Sequence, residues 1–76
     1  DYLKKDTFNV GDRVRITKFY KILGQTRARL YGNKGSFRVT HDEYEIYQLN
    51  KQTGRAIISY GDVIIAAVDV NILEKI

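Results

Sequence analysis

Eight cationic side chains, Arg13, Arg15, Lys18, Lys21, Arg27, Arg29, Lys34 and Arg38, occupy one stretch of the chain with no acid among them. Arginine offers planar, forked donors that match phosphate and carboxylate oxygens, and lysine supplies a compact point charge. Crowding both types together is what neutralising a polyanion requires. The flanks reverse the balance. Residues 39–76 hold three basic and six acidic groups, and residues 1–12 hold two and three. The formal charge of +4 therefore conceals a block of +8. The competing reading is a solvated surface whose cations pair with the chain's own Asp42, Glu43 and Glu45. Arg38, across a hairpin from that acidic turn, is the first candidate for such pairing.

The other chemistry-bearing residues are sparse. Tyr20 and Tyr31 flank the basic stretch and are suited either to stacking on bases or to packing in the core. Phe8, Phe19, Phe37 and Tyr44 are expected in the core. Gly32-Asn33-Lys34-Gly35 reads first as a tight turn with positive φ and second as an anion nest. It lacks the Gly-Lys-Ser/Thr ending and following helix of a Walker loop. Tyr44, Tyr47 and Tyr60 could form an aromatic cage, although their spacing gives no specific support. His41, beside Asp42 and Glu43, offers too few ligands for a structural zinc site. The chain has no cysteine, and Ser36 and Ser59 have no evident histidine partner in sequence. The expectation is a non-enzymatic protein with no catalytic residue, metal or cofactor.

The elements that must position these residues are strands. Val, Ile, Tyr, Phe and Thr are plentiful, and proline is absent. Arg13 to Tyr20 alternates, with Val14 and Ile16 inward and Arg13, Arg15 and Thr17 outward. Lys21 to Gly32 reads as a long connection. Lys34 to His41 alternates again, with Phe37 and Val39 inward and Arg38 outward. If these two strands are neighbours, Arg13, Arg15 and Arg38 share an outer surface. Tyr44 to Asn50 is the next strand, and Lys51-Gln52-Thr53-Gly54 a hairpin turn. Arg55 to Tyr60 and Val63 to Val68 flank Gly61-Asp62, a link suited to a tight hairpin. Ile72 to Ile76 closes the chain.

Seventy-six residues with 43% hydrophobic content make one small domain. Residues 1–7 read as a tail or one helical turn in which Tyr2 and Leu3 can dock, and 8–76 as the domain. No apolar run approaches the roughly 20 residues that span a bilayer. An intracellular setting, cytoplasmic or in the nucleoid or nucleus, is the default. Five or six short antiparallel strands are expected to curl into a small barrel, an all-β fold.

Phe8-Asn9-Val10-Gly11-Asp12-Arg13-Val14-Arg15-Ile16 resembles the opening of many SH3-like barrels. Leu30-Tyr31-Gly32-Asn33-Lys34-Gly35-Ser36-Phe37-Arg38-Val39 looks like the Gly-x-x-Gly turn and following strand of the KOW motif. Val68 to Ile76 looks like the short turn and closing strand of the same barrels. The resemblance, to KOW- and Tudor-type barrels such as those of NusG-like factors and large-subunit ribosomal proteins, implies a nucleic-acid-binding module. It points to Arg15, Lys34 and Arg38, with Lys18, Lys21, Arg27 and Arg29 around the loop.

The expected function is weakly sequence-specific, electrostatic binding of nucleic acid, with duplex DNA slightly favoured over RNA. The alternatives are an RNA-binding barrel, an adaptor for an acidic protein partner, and a small oligomeric enzyme of the plasmid reductase type. The expected contact set is Arg13, Arg15, Lys18, Tyr20, Lys21, Arg27, Arg29, Tyr31, Lys34 and Arg38. Lys21, Arg27 and Arg29 are expected to lie in solvent.

Overall fold

The computed structural model describes residues 8–76, so the expected tail and the docking of Tyr2 and Leu3 lie outside the described residues. Alternation in the sequence becomes alternation in burial. In β1 (Arg13–Ile16) Val14 and Ile16 are buried and both arginines exposed. The chain continues through β2 (Tyr20–Ile22), β3 (Gln25–Arg29), β4 (Ser36–Arg38), β5 (Tyr44–Asn50), β6 (Arg55–Tyr60), β7 (Val63–Asp69) and β8 (Leu73–Lys75). Single 3-10 turns occupy Tyr31–Asn33 and Val70–Ile72. All pairings between strands are antiparallel.

Two sheets result. One has five strands in the order β7-β6-β5-β1-β8, the other three in the order β2-β3-β4. The protein is all-β, and its arrangement is consistent with an SH3-like fold whose barrel does not close. The described residues form eight short strands where five or six were expected.

The difference arises between Thr17 and Gly32. The first strand stops at Ile16, and the stretch read as a long connection is the hairpin of β2 and β3. Alternation fails as a signal there because β2 is exposed throughout and β3 buries only Ala28. The turn is also atypical. Leu23 and Gly24 take φ values of 53° and 78°, the backbone of a type I′ turn, which ordinarily has Asn or Gly first. By contrast Gly61 and Asp62, at 56° and 68°, fill the same kind of turn with the expected residues.

The core lies mainly on the five-stranded sheet. Val14, Ile16, Tyr44, Ile46, Ala56, Ile58, Ala66, Val68 and Leu73 are buried there, joined by Phe8 and Val70. From the three-stranded sheet only Ala28 is fully buried, while Phe37 packs at the margin with Leu30 and Val39. Phe19, expected inside, is 56% exposed. It precedes β2, outside the reach of the core. A bulge at Tyr47, where the β5–β6 register shifts between Ile46 and Gln48, leaves that ring in solvent.

Candidate nucleic-acid interface

Cross-strand register decides which basic residues share a face. In the three-stranded sheet Tyr20 lies opposite Arg27, and Arg27 opposite Arg38. Ile22 faces Gln25 and Arg29 faces Ser36 in the same registers. Because side chains alternate along a strand, these seven residues point to one side. The opposite side carries Ala28 and Phe37, which pack inward, with Lys21 and Thr26. The outer side thus presents three arginines in adjoining rows, with Tyr20 at one end. Strands β2, β3 and β4 contain four cations (Lys21, Arg27, Arg29 and Arg38) and no acid.

Arg27 is the organiser of this face and is half-buried. Its Nε donates to Ser36 Oγ at 2.8 Å and one terminal nitrogen donates to the Ser36 carbonyl at 3.1 Å. The other donates to Gln25 Oε1 at 3.1 Å. All three acceptors are neutral, so the guanidinium is held in position with no compensating carboxylate among the described residues. It stands directly across the sheet from Arg38, and like charges in that relation repel. Arg27 was expected in solvent; its bonds to Ser36 and Gln25 make it part of the hairpin's structure instead. Arg38, expected to pair with the acidic turn at 42–45, makes no ion pair among the described residues, because its strand neighbour is β3.

Arg13 and Arg15 stand apart from this group. They lie on the five-stranded sheet, so they do not share a sheet with Arg38. Arg13 meets Glu43 at 3.2 Å, and Arg15 forks onto Glu74, with Nε to Oε1 at 2.7 Å. Both are thereby tied to the chain's own carboxylates; the competing reading named Glu43 as such a partner, but not Glu74. Lys18, just before β2, and Lys21, within it, are exposed without an ion pair among the described residues, and Lys34 is exposed in the turn before β4. Arg29 is exposed on the outer face. The Gly32–Gly35 segment is a closed turn, with the Leu30 N–H donating to the Gly35 carbonyl at 2.9 Å and both glycines at positive φ.

The two uncertain tyrosines divide. Tyr20 is 41% exposed on the arginine face. Tyr31 is half-buried and donates its hydroxyl to the Thr53 carbonyl at 3.2 Å, which commits it to a joint with the β5–β6 turn. The apolar residues Ile22 and Leu23, absent from the expected contact set, are 50% and 95% exposed at the hairpin tip. Their signal in the sequence was a Leu-Gly pair between β-prone residues, which does not announce a tight turn.

A concavity of about 650 Å³ lies among Arg13, His41, Glu43, Tyr44 and Tyr60. A cage of Tyr44, Tyr47 and Tyr60, which the spacing did not specifically support, does not form there. His41 lies flat on Tyr60, with 3.6 Å between ring centres and 6° between planes, while Tyr44 meets both rings edge-on. The Tyr44 hydroxyl accepts from the backbone N–H groups of Thr40 and His41 at 3.2 and 3.3 Å. The imidazole thus covers the Tyr60 face that a cation would need. No group of three or more His, Cys, Asp or Glu suited to a metal occurs among the described residues. No helix in them is long and apolar enough to cross a membrane.

No family model matches this chain, and neither a curated protein nor a solved structure matches it.

Proposed function

We propose that this protein is a non-enzymatic nucleic-acid-binding module that grips phosphates with the outer face of its three-stranded sheet. Duplex DNA is the preferred partner, and recognition is electrostatic with weak sequence preference. The observation that carries the reading is the Arg27–Arg38 pair. Two cations opposed across a sheet, one braced by neutral acceptors and neither offset by a carboxylate among the described residues, form a site that suits an anion. Lys18, Lys21, Arg29 and Lys34 extend the positive field around it, and Tyr20 offers a ring for stacking on a sugar or base. Kinship with KOW- or Tudor-type barrels and an intracellular setting belong to the same proposal.

Arg13 and Arg15 contribute less than their exposure implies, since Glu43 and Glu74 already neutralise them. That separates the proposal from a general basic surface. In a gel-shift titration on a random-sequence duplex, the double variant Lys18→Glu/Arg38→Glu is expected to lose binding. Arg13→Gln/Arg15→Gln is expected to retain it. Equal losses in the two variants would refute the assignment of the face.

A second reading rests on the exposed Phe19, Tyr20, Ile22 and Leu23, which suit a protein partner bearing acidic residues. Excess random-sequence DNA or RNA strips a nucleic-acid binder from a captured partner and leaves an adaptor attached. RNA in place of DNA is decided by the same titration with duplex RNA and single strands.

A further inference from the structure

The tip of the β2–β3 hairpin contradicts its own turn chemistry. Leu23 sits at φ 53°, in the left-handed region that a branched apolar residue seldom adopts. It is also 95% exposed, so it buries nothing within the fold. Neither local propensity nor the core accounts for a leucine here. Ile22, half exposed, adjoins it; Lys18 precedes the strand that leads to it and Lys21 lies within that strand.

An apolar point carried on a cationic arm suits a polyanion that also offers apolar surface. A DNA duplex does so between its stacked base pairs, which are reached through the groove once phosphates have been engaged. Side chains of this type open base steps and kink the helix toward the major groove. We propose that Leu23, backed by Ile22, is a wedge that enters a base step and bends duplex DNA while Lys18 and Lys21 hold the adjoining phosphates. This rests on the reading of the arginine face as a DNA-binding surface. It adds a mechanical activity, and it names the preferred substrate as duplex that is easily unstacked. The orientation is coherent, because the tip is the outer end of the same hairpin whose strands bear Tyr20, Arg27 and Arg29.

The test compares the wild type with Leu23→Asn, a residue at ease in the first position of a type I′ turn. Two end-labelled duplexes are used, one fully paired and one with a central two-base mismatch, with energy transfer between the ends as the readout of bending. Wild type is expected to shorten the end-to-end distance and to prefer the mismatched duplex by about tenfold, since unstacking is least costly there. Leu23→Asn is expected to lose both the bend and the preference while unfolding no earlier than wild type. A variant that bends DNA and prefers the mismatch as wild type does overturns the wedge and leaves the phosphate-binding face standing. Wild type that binds neither duplex overturns both. Wild type that binds neither duplex but binds vesicles of equal phosphatidylglycerol and phosphatidylcholine, in a Leu23-dependent manner, reassigns the tip to a lipid surface.

Discussion

Arg38 illustrates how one residue can set stability against function. Facing Arg27 in a non-interrupted register, it contributes repulsion to the fold and attraction to an anion. Replacing it by glutamate converts the like pair into an opposite pair, worth roughly 0.2–1 kcal/mol in a sheet. Arg38→Glu is therefore expected to unfold at higher urea than wild type while binding DNA more weakly. Arg27→Glu behaves differently, because it removes three hydrogen bonds and sets a carboxylate against the Ser36 carbonyl. It is expected to cost about 1–3 kcal/mol by the same denaturation measurement. At the tip, Leu23→Asn relieves a left-handed leucine and is expected to add about 0.5–1 kcal/mol. These residue-level roles were only half legible in the sequence. The identity of every cation was evident, but whether it had a carboxylate for a neighbour depended on register. Arg15 meets Glu74, 59 positions away, by virtue of β1–β8 pairing that no local pattern records.

The two sheets differ in how firmly they are anchored. β6 is central to the core, with Ala56 and Ile58 fully buried and neighbours on both edges. Truncating Ile58 to alanine should cost about 2–5 kcal/mol, read from a shift in the urea midpoint. β2 buries none of its residues and leans on β3 alone. Its amides are expected to exchange with deuterium much faster than those of β5 and β6. The same contrast explains which elements sequence reasoning recovered. β5, β6, β7 and their turns follow from strong alternation, buried β-branched residues and Gly-Asp or Thr-Gly at the corners. The β2–β3 hairpin looks like a loop in the sequence because β2 buries nothing and β3 only Ala28, which leaves no hydrophobic period. Phe19 was misplaced for a related reason: an aromatic ring signals the core only when a core lies within reach.

At the scale of the whole molecule, charge is sorted between the sheets. The five-stranded sheet balances Arg13, Arg15, Arg55 and Lys75 with Glu45, Asp69 and Glu74, while the three-stranded sheet has cations alone. A radius of gyration of 11.5 Å keeps both within about one Debye length at low salt, so the molecule is polarised toward one face. If about four phosphates are engaged, log K falls with log salt at a slope near −4. Raising salt from about 50 to 200 mM should then weaken duplex binding by roughly two orders of magnitude in a filter-binding series. The charge block itself was plain in the sequence; its division into a neutralised pair on β1 and an Arg27–Arg38 pair without a carboxylate partner among the described residues required the topology. The phenol of Tyr44 stands at the junction of the two halves, its ring in the core and its oxygen holding the amides of Thr40 and His41. That oxygen moors the segment by which the chain leaves the arginine platform. Shaving it off in Tyr44→Phe releases two N–H groups at the pivot, so the platform should rock against the body on the microsecond timescale, visible as exchange broadening of the Thr40 and His41 amides. A gripping surface that must meet a curved polyanion squarely would then lose aim before it lost any charge.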